Sequence, residues 1–107
     1  IGRFAGSTEQ GDNAVAIGRY AGQYTQGGDA VAIGRYAGQD AQGFNAVAIG
    51  VLAGKINQGS RSIAFGENAN STQDRTISIG AGPDATASRS VALGPFANAI
   101  SPGITTL

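Results

Sequence analysis

A glycine that returns at a fixed interval constrains this chain more than any other feature. The sequence falls into the register IGRFAGSTEQGDNAVA (1–16), IGRYAGQYTQGGDAVA (17–32), IGRYAGQDAQGFNAVA (33–48) and IGVLAGKINQGSRSIA (49–64), a period of 16. The marker glycines are Gly2, Gly18, Gly34, Gly50 and Gly66, after which the spacing contracts to 14 at Gly80 and Gly94. Repeats of this length read as stacked units, each burying a face against its neighbours. Before every internal marker stands one short block: AVAIG at 14–18, 30–34 and 46–50, then SIAFG at 62–66, TISIG at 76–80 and SVALG at 90–94.

Large and small residues alternate inside each block, as with Val15 and Ile17 against Ala14 and Ala16, which is the period-2 signature of a strand with one buried face. On that reading the large residues Val15, Ile17, Val31, Ile33, Val47, Ile49, Ile63, Phe65, Ile77, Ile79, Val91 and Leu93 form the core. A helix is a poor alternative. No 3.6-residue stripe is sustained, and the 18 glycines would each cost a helix interior about 1 kcal/mol relative to alanine. The Gln-Gly pairs at 10–11, 26–27, 42–43 and 58–59 read as turns, and the stretch after each marker, such as 21–25, as a second strand. Tyr24, Asp40 and Ile56, unlike one another in equivalent places, are expected to face solvent.

Two short strands and two turns make one coil, and successive coils stack at the strand spacing of about 4.8 Å, so the chain should build a rod roughly 30 Å long. The expected fold is all-β: a parallel β-roll (β-solenoid) of 16- and 14-residue coils. Coils of 16 residues occupy 1–64, a transition 65–75, and coils of 14 residues 76–107, with the two missing residues dropped from the Gln-Gly turn. The chain opens inside a repeat at Ile1-Gly2 and stops at Leu107, one residue before the next marker is due, so a segment of a longer fibre is expected.

A coil such as 17–32 offers only Ile17, Tyr20, Tyr24 and Val31 as large apolar groups. Burying each contributes about 1.5 to 3 kcal/mol, against about 1 to 2 kcal/mol for every backbone residue ordered. Lateral partners are therefore expected, most simply further copies of the same chain.

Composition narrows the chemistry. Seven Lys and Arg balance seven Asp and Glu, so no global field draws the chain to nucleic acid, and no nucleic-acid partner is expected. Cysteine and histidine are both absent, which removes disulfides, Cys/His zinc sites and any triad with a histidine base. No apolar run approaches the about 20 residues of a membrane-spanning helix, so no direct membrane insertion is expected of this segment. Neither catalytic residue, metal nor cofactor is assigned. Gly80-Ala81-Gly82-Pro83-Asp84-Ala85 mimics a dinucleotide-binding loop but lacks a helix to follow it, and Gly28-Asp29 reads as a turn cap rather than a calcium site. Asp12 and Asp29, one position and one coil apart, are the nearest thing to a glycosidase pair, with no polar cluster beside them. Asn70-Ser71-Thr72 is a glycosylation sequon, which matters only in a eukaryotic secretory pathway.

The candidate ligand contacts are two arginine ladders. Arg3, Arg19 and Arg35 follow successive markers, each beside an aromatic (Phe4, Tyr20 and Tyr36), while Arg61, Arg75 and Arg89 stand five positions before the next marker. Stacked like charges need carboxylates or a ligand to neutralise them, so the ladders mark either an anionic or glycan-binding stripe, with rings as platforms, or contacts to a neighbouring chain.

The block NAVAIG at 13–18 and 45–50, and above all the 14-residue units TISIGAGPDATASR (76–89) and SVALGPFANAISPG (90–103), resembles the head repeats of YadA-type trimeric autotransporter adhesins. The 16-residue units, with their A-G-x-x-x-Q-G-x-N turn, are also similar to repeats in fibre proteins of large DNA viruses and in phage tail fibres. The resemblance implies a left-handed homotrimer at a bacterial cell surface or on a virion, with a host surface protein or glycan as partner. A passive fibre spacer and a polysaccharide-degrading spike are the alternatives.

Overall fold

The computed structural model describes residues 1–107 as an all-β rod measuring 35 × 21 × 15 Å, with no helix. Its long face is one seven-stranded parallel sheet made of Val15–Ile17, Val31–Ile33, Val47–Ile49, Ile63–Phe65, Ile77–Ile79, Val91–Leu93 and Thr105–Thr106. These are the alternating blocks, and they stack in register. Val15 pairs with Val31 and Val31 with Val47, an offset of 16; Phe65 pairs with Ile49 at 16 below it and with Ile79 at 14 above it. Every block therefore adds a rung to one ladder, which is what the repeat required.

The opposite face is two sheets rather than one. Thr8–Gln10, Tyr24–Gln26 and Asp40–Gln42 pair in the wide coils, and Asn70–Ser71, Asp84–Ala85 and Asn98–Ala99 in the narrow ones. The second strand thus lies later than the 21–25 stretch, and Gln26 and Gln42 are strand residues with buried side chains, not turn residues. The turn begins at the glycine that follows.

The core reverses the expected assignment. Within one chain the interior is lined by the small residues of each block: Ala32, Ala48, Ala64, Ser78 and Ala92 are fully buried, and Ala16 nearly so. Val15, Ile17, Phe65 and Ile79 are 39 to 49% exposed, and Val31, Ile33, Val47, Ile49, Ile63, Ile77, Val91 and Leu93 are half-buried on the same outer face. The cause is width. Faces of a sheet sandwich sit about 10 Å apart when ordinary side chains interdigitate between them. A coil closed by two short turns is flatter than that, so methyl- and hydroxymethyl-sized groups fill it. Alternation located the two faces correctly and labelled them the wrong way round, because large residues normally mark the inside.

The contraction from 16 to 14 also falls elsewhere than expected. Four residues, Gly54 to Asn57, separate Ala53 from Gln58, whereas only Asn70 separates their counterparts Ala69 and Ser71. One residue is regained on the way to Thr76, since Thr72 to Arg75 replace Gly59 to Arg61. Residues are therefore lost from the flank of the second strand, not from the Gln-Gly turn, and the outline of the rod steps inward between the two halves.

Candidate functional site

The corners of the coil hold the first arginine ladder. Phe4, Tyr20 and Tyr36 each take a left-handed backbone conformation, φ 61°, 62° and 62°, where bulky residues are uncommon. Stacking compensates. The Tyr20 amide donates to the Arg3 carbonyl at 2.9 Å and the Tyr36 amide to that of Arg19 at 3.0 Å, so each coil holds the corner of the next. The rings stack face to face with centroids 5.3 Å (Phe4–Tyr20) and 5.0 Å (Tyr20–Tyr36) apart. Arg3, Arg19 and Arg35 lie over the ring of their own coil, guanidinium to centroid 5.0, 4.9 and 5.7 Å. The Tyr20 hydroxyl beside it holds Arg19 above the ordinary guanidinium value. Leu52 continues the column after Tyr36, and Lys55 sends its Nζ to 5.3 Å from the Tyr36 ring. The rings and the guanidinium groups that the sequence placed together do meet, as a stacked ribbon with exposed cations along it.

Arg61, Arg75 and Arg89 form a separate column on another corner. They continue the line of Asn13, Asp29 and Asn45, all at φ 57° to 60°. Asparagine and aspartate accept that conformation readily, arginine less so. All three arginines are exposed. The Ser60 amide donates to Asp74 Oδ1 at 3.1 Å, placing a carboxylate on the same corner. Asp12 and Asp29 are exposed on an open turn, joined by an Asp29 amide to Asp12 carbonyl hydrogen bond of 2.8 Å.

Sequence reasoning missed one feature altogether. At the inward step a groove of 580 Å³ opens, walled by Lys55, Ile56 and Asn57 of the last wide coil and by Asn68, Asn70 and Thr72 of the first narrow one. The change of period from 16 to 14 was the signal that could have located it.

Against known families, residues 1–21 and 58–82 each match the model of the YadA head domain repeat. The two segments together span less than half of the chain, and the coils between them continue the same backbone register. No curated protein matches the chain, and no solved structure does. The likeness to YadA-type head repeats read from the strand blocks thus has independent support, and those repeats are adhesin-type structural units of the extracellular surface rather than enzymes.

Proposed function

We propose that this chain is a segment of an elongated homotrimeric surface fibre that mediates attachment to a host cell surface, matrix protein or glycan. One observation carries the reading. A strip two apolar columns wide, the large residues of the six blocks (Val15 and Ile17 through Val91 and Leu93, with Phe65 among them), runs along the outer face of the rod, while the block residues that face the coil's own interior are alanine and serine. Residues such as Val15, Ile17, Phe65 and Ile79 lose water only if something covers that strip, and further copies of the chain present the identical strip in the same axial register. The large residues are then a core after all, shared between chains, and the left-handed trimer implied by the resemblance supplies the symmetry. Arginine ribbons and the stepped groove lie on corners and on the opposite sheet, where a fibre can display them. The first three wide coils, residues 1–48, contribute no residue to the groove, which favours a passive spacer role for that length.

Light scattering at low micromolar concentration should give the mass of three chains; a folded, strand-rich monomer overturns the proposal. Val47→Asp sharpens it. Val47 is only half-buried in the single chain, so a lone coil would accept the carboxylate. In a trimer the change forfeits about 1.5 to 3 kcal/mol of valine burial in each chain and adds desolvation of a charge. Folding and trimerisation should fail together, and an unchanged trimer with an unchanged melting temperature would put the strip in solvent. Attachment itself is checked by binding of the soluble fibre to cells, matrix proteins and a glycan array, and no binding to any of them leaves the spacer.

A further inference from the structure

We propose that the groove at the step between wide and narrow coils is a binding site for an acidic sugar, a pyranose carrying a carboxylate. The argument begins with a backbone residue left without partners. In the two preceding coils the counterparts of Ile56 are paired to the coil above: Tyr24 donates to the Gln39 carbonyl at 2.8 Å and Asp40 to the Lys55 carbonyl at 2.7 Å. Above Ile56 the chain has lost three residues between Ala69 and Ser71, so its amide has no acceptor and its carbonyl no donor. Both groups belong to the ladder direction, toward the groove. Backbone groups of a sheet are rarely left unpaired unless water or a ligand serves them.

The gap is short. Only the Ile56 amide and carbonyl and the Asn57 carbonyl are free on this edge, while the amide of Gly54 donates to Ala69 at 2.8 Å and that of Gly59 to Ser71 at 2.9 Å, so the edge on either side is already engaged. A peptide strand adding itself to a sheet needs a run of free groups and finds none here. A sugar hydroxyl needs only this much, because one oxygen donates and accepts at once. The opposite wall suits the same ligand: the side chains of Asn68, Asn70 and Thr72 offer donors and acceptors, and the Leu52 and Ile56 side chains give the apolar patch on which a ring's C–H face can rest. The groove's 580 Å³ lies within the range usual for small-molecule sites.

Charge selects among sugars. Lys55 is the one cation lining the groove and no carboxylate lines it. Its Nζ, held at 5.3 Å from the Tyr36 ring, is positioned at the rim instead of ranging through solvent. A single carboxylate on the sugar ring answers a single ammonium. In the proposed trimer the groove lies on the sheet opposite the aliphatic strip and would occur three times around the fibre.

The proposal deepens the attachment reading, and its test does not depend on any cell or matrix. Amide-resolved NMR of the purified chain, in whatever oligomer it adopts, is titrated with methyl β-glucuronide and with methyl β-glucoside at millimolar concentration. Glucuronide should shift the Ile56 amide and the side-chain amides of Asn68 and Asn70, and bind more tightly than glucoside. Lys55→Gln should weaken the glucuronide by roughly threefold to fivefold, the scale of an exposed charge pair, and leave the glucoside unchanged. Asn68→Gly is compatible with the φ of 58° at that position and, with Thr72→Ala, should abolish both titrations while the melting temperature stays within a few degrees. No shift with either sugar at millimolar concentration overturns the proposal, as do shifts that map to Tyr20 and Tyr36 instead. Sugar binding without attachment to cells, matrix proteins or any glycan of the array would refute the fibre's proposed role and leave the groove assignment standing.

Discussion

The wide and narrow coils solve one problem with side chains of different length. In both, the first carbonyl of the strand block is reached by a side chain from the opposite sheet. Gln26, Gln42 and Gln58 donate through Nε2 to the carbonyls of Val15, Val31 and Val47 at 2.7, 2.8 and 2.7 Å; in the first narrow coil the Ser71 hydroxyl donates to Ile63 at 2.7 Å. Serine suffices where glutamine was needed because the narrow coil has lost the residues that hold its second strand away. Ala85 and Ala99 then continue the column with no polar group at all, fully buried. Coil length and interior side chain change together. The backbone ladder is common to both halves, and what the wide half adds is a row of side-chain amides linked along the axis, Gln10 to Gln26 and Gln42 to Gln58, each 3.1 Å, all buried but Gln10. The row is broken at the Gln42 Oε1, a buried acceptor without a partner, since the Gln26 amide bonds only the Val15 and Ala30 carbonyls whereas the Gln42 amide bonds the equivalent carbonyls and Gln58 as well.

The largest effect expected lies in the marker column, where the two halves agree. Gly34 holds φ 127°, and a Cβ there would sit 2.6 Å from the Gly50 carbonyl oxygen. Gly80, in the narrow half, holds φ 132°, and its Cβ would sit 2.8 Å from the Gly94 carbonyl. Gly34→Ala and Gly80→Ala therefore both combine backbone strain with a clash against a backbone that cannot rotate away, and each should cost about 4 kcal/mol or more. Thermal unfolding of the two variants checks this, and a loss within about 1 kcal/mol in either would mean that the coils of that half can spread apart to admit a methyl group.

The buried caps come next. Gln42→Ala takes the side-chain donor from the Val31 carbonyl and empties the space of a side chain only 2% exposed, so an expected loss of about 2 to 4 kcal/mol combines a lost hydrogen bond with a cavity. Ser71→Ala removes one hydroxyl from an equivalent role and should cost about 1 kcal/mol. Denaturant midpoints decide it. If Ser71→Ala were the more damaging, the narrow coil would depend on its interior hydrogen bonds more than the wide one, and the alanines at 85 and 99 would have no physical account.

Much of this was legible in the sequence, for reasons of period. The seven-stranded ladder follows from the blocks because strand register is set by repetition, and a slip of one residue would turn every side chain over. The aromatic stack was legible because Phe4, Tyr20 and Tyr36 share a place in the unit. What stayed hidden depends on thickness. Val47 and Ala48 look like core and surface in any ordinary sheet, and only the closeness of the two faces makes Ala48 the buried one. Likewise Gln26 reads as a polar turn residue until its carboxamide is seen to span the coil. The groove was hidden because a deletion shows that residues are missing, not from which side of the coil.

The smallest effect expected is a gain, from moving a feature of the later blocks into an earlier one. In the column that heads each block, Ser62, Thr76 and Ser90 are buried and donate their hydroxyls to the carbonyl three residues earlier, at 2.6 Å to Gly59, 2.9 Å to Gln73 and 2.5 Å to Ala87. Alanine fills the same column at Ala30 and Ala46. The Ala30 amide compensates with a long 3.4 Å bond to Gly27, but the Gly43 carbonyl receives no such bond from Ala46 or from any other group of the chain. Ala46→Ser would place a hydroxyl within the same local geometry as Ser62 directly above it, and serve that carbonyl without crossing the coil. The new bond should stabilise by about 0.5 to 1.5 kcal/mol, less the cost of fixing one rotor. A rise of a few degrees in the melting temperature, with unchanged oligomeric mass, is the expected result. A fall of similar size would show that the wide coil, despite its two extra residues, is the tighter of the two at this corner, and that the serines of the later blocks occupy room gained at the step.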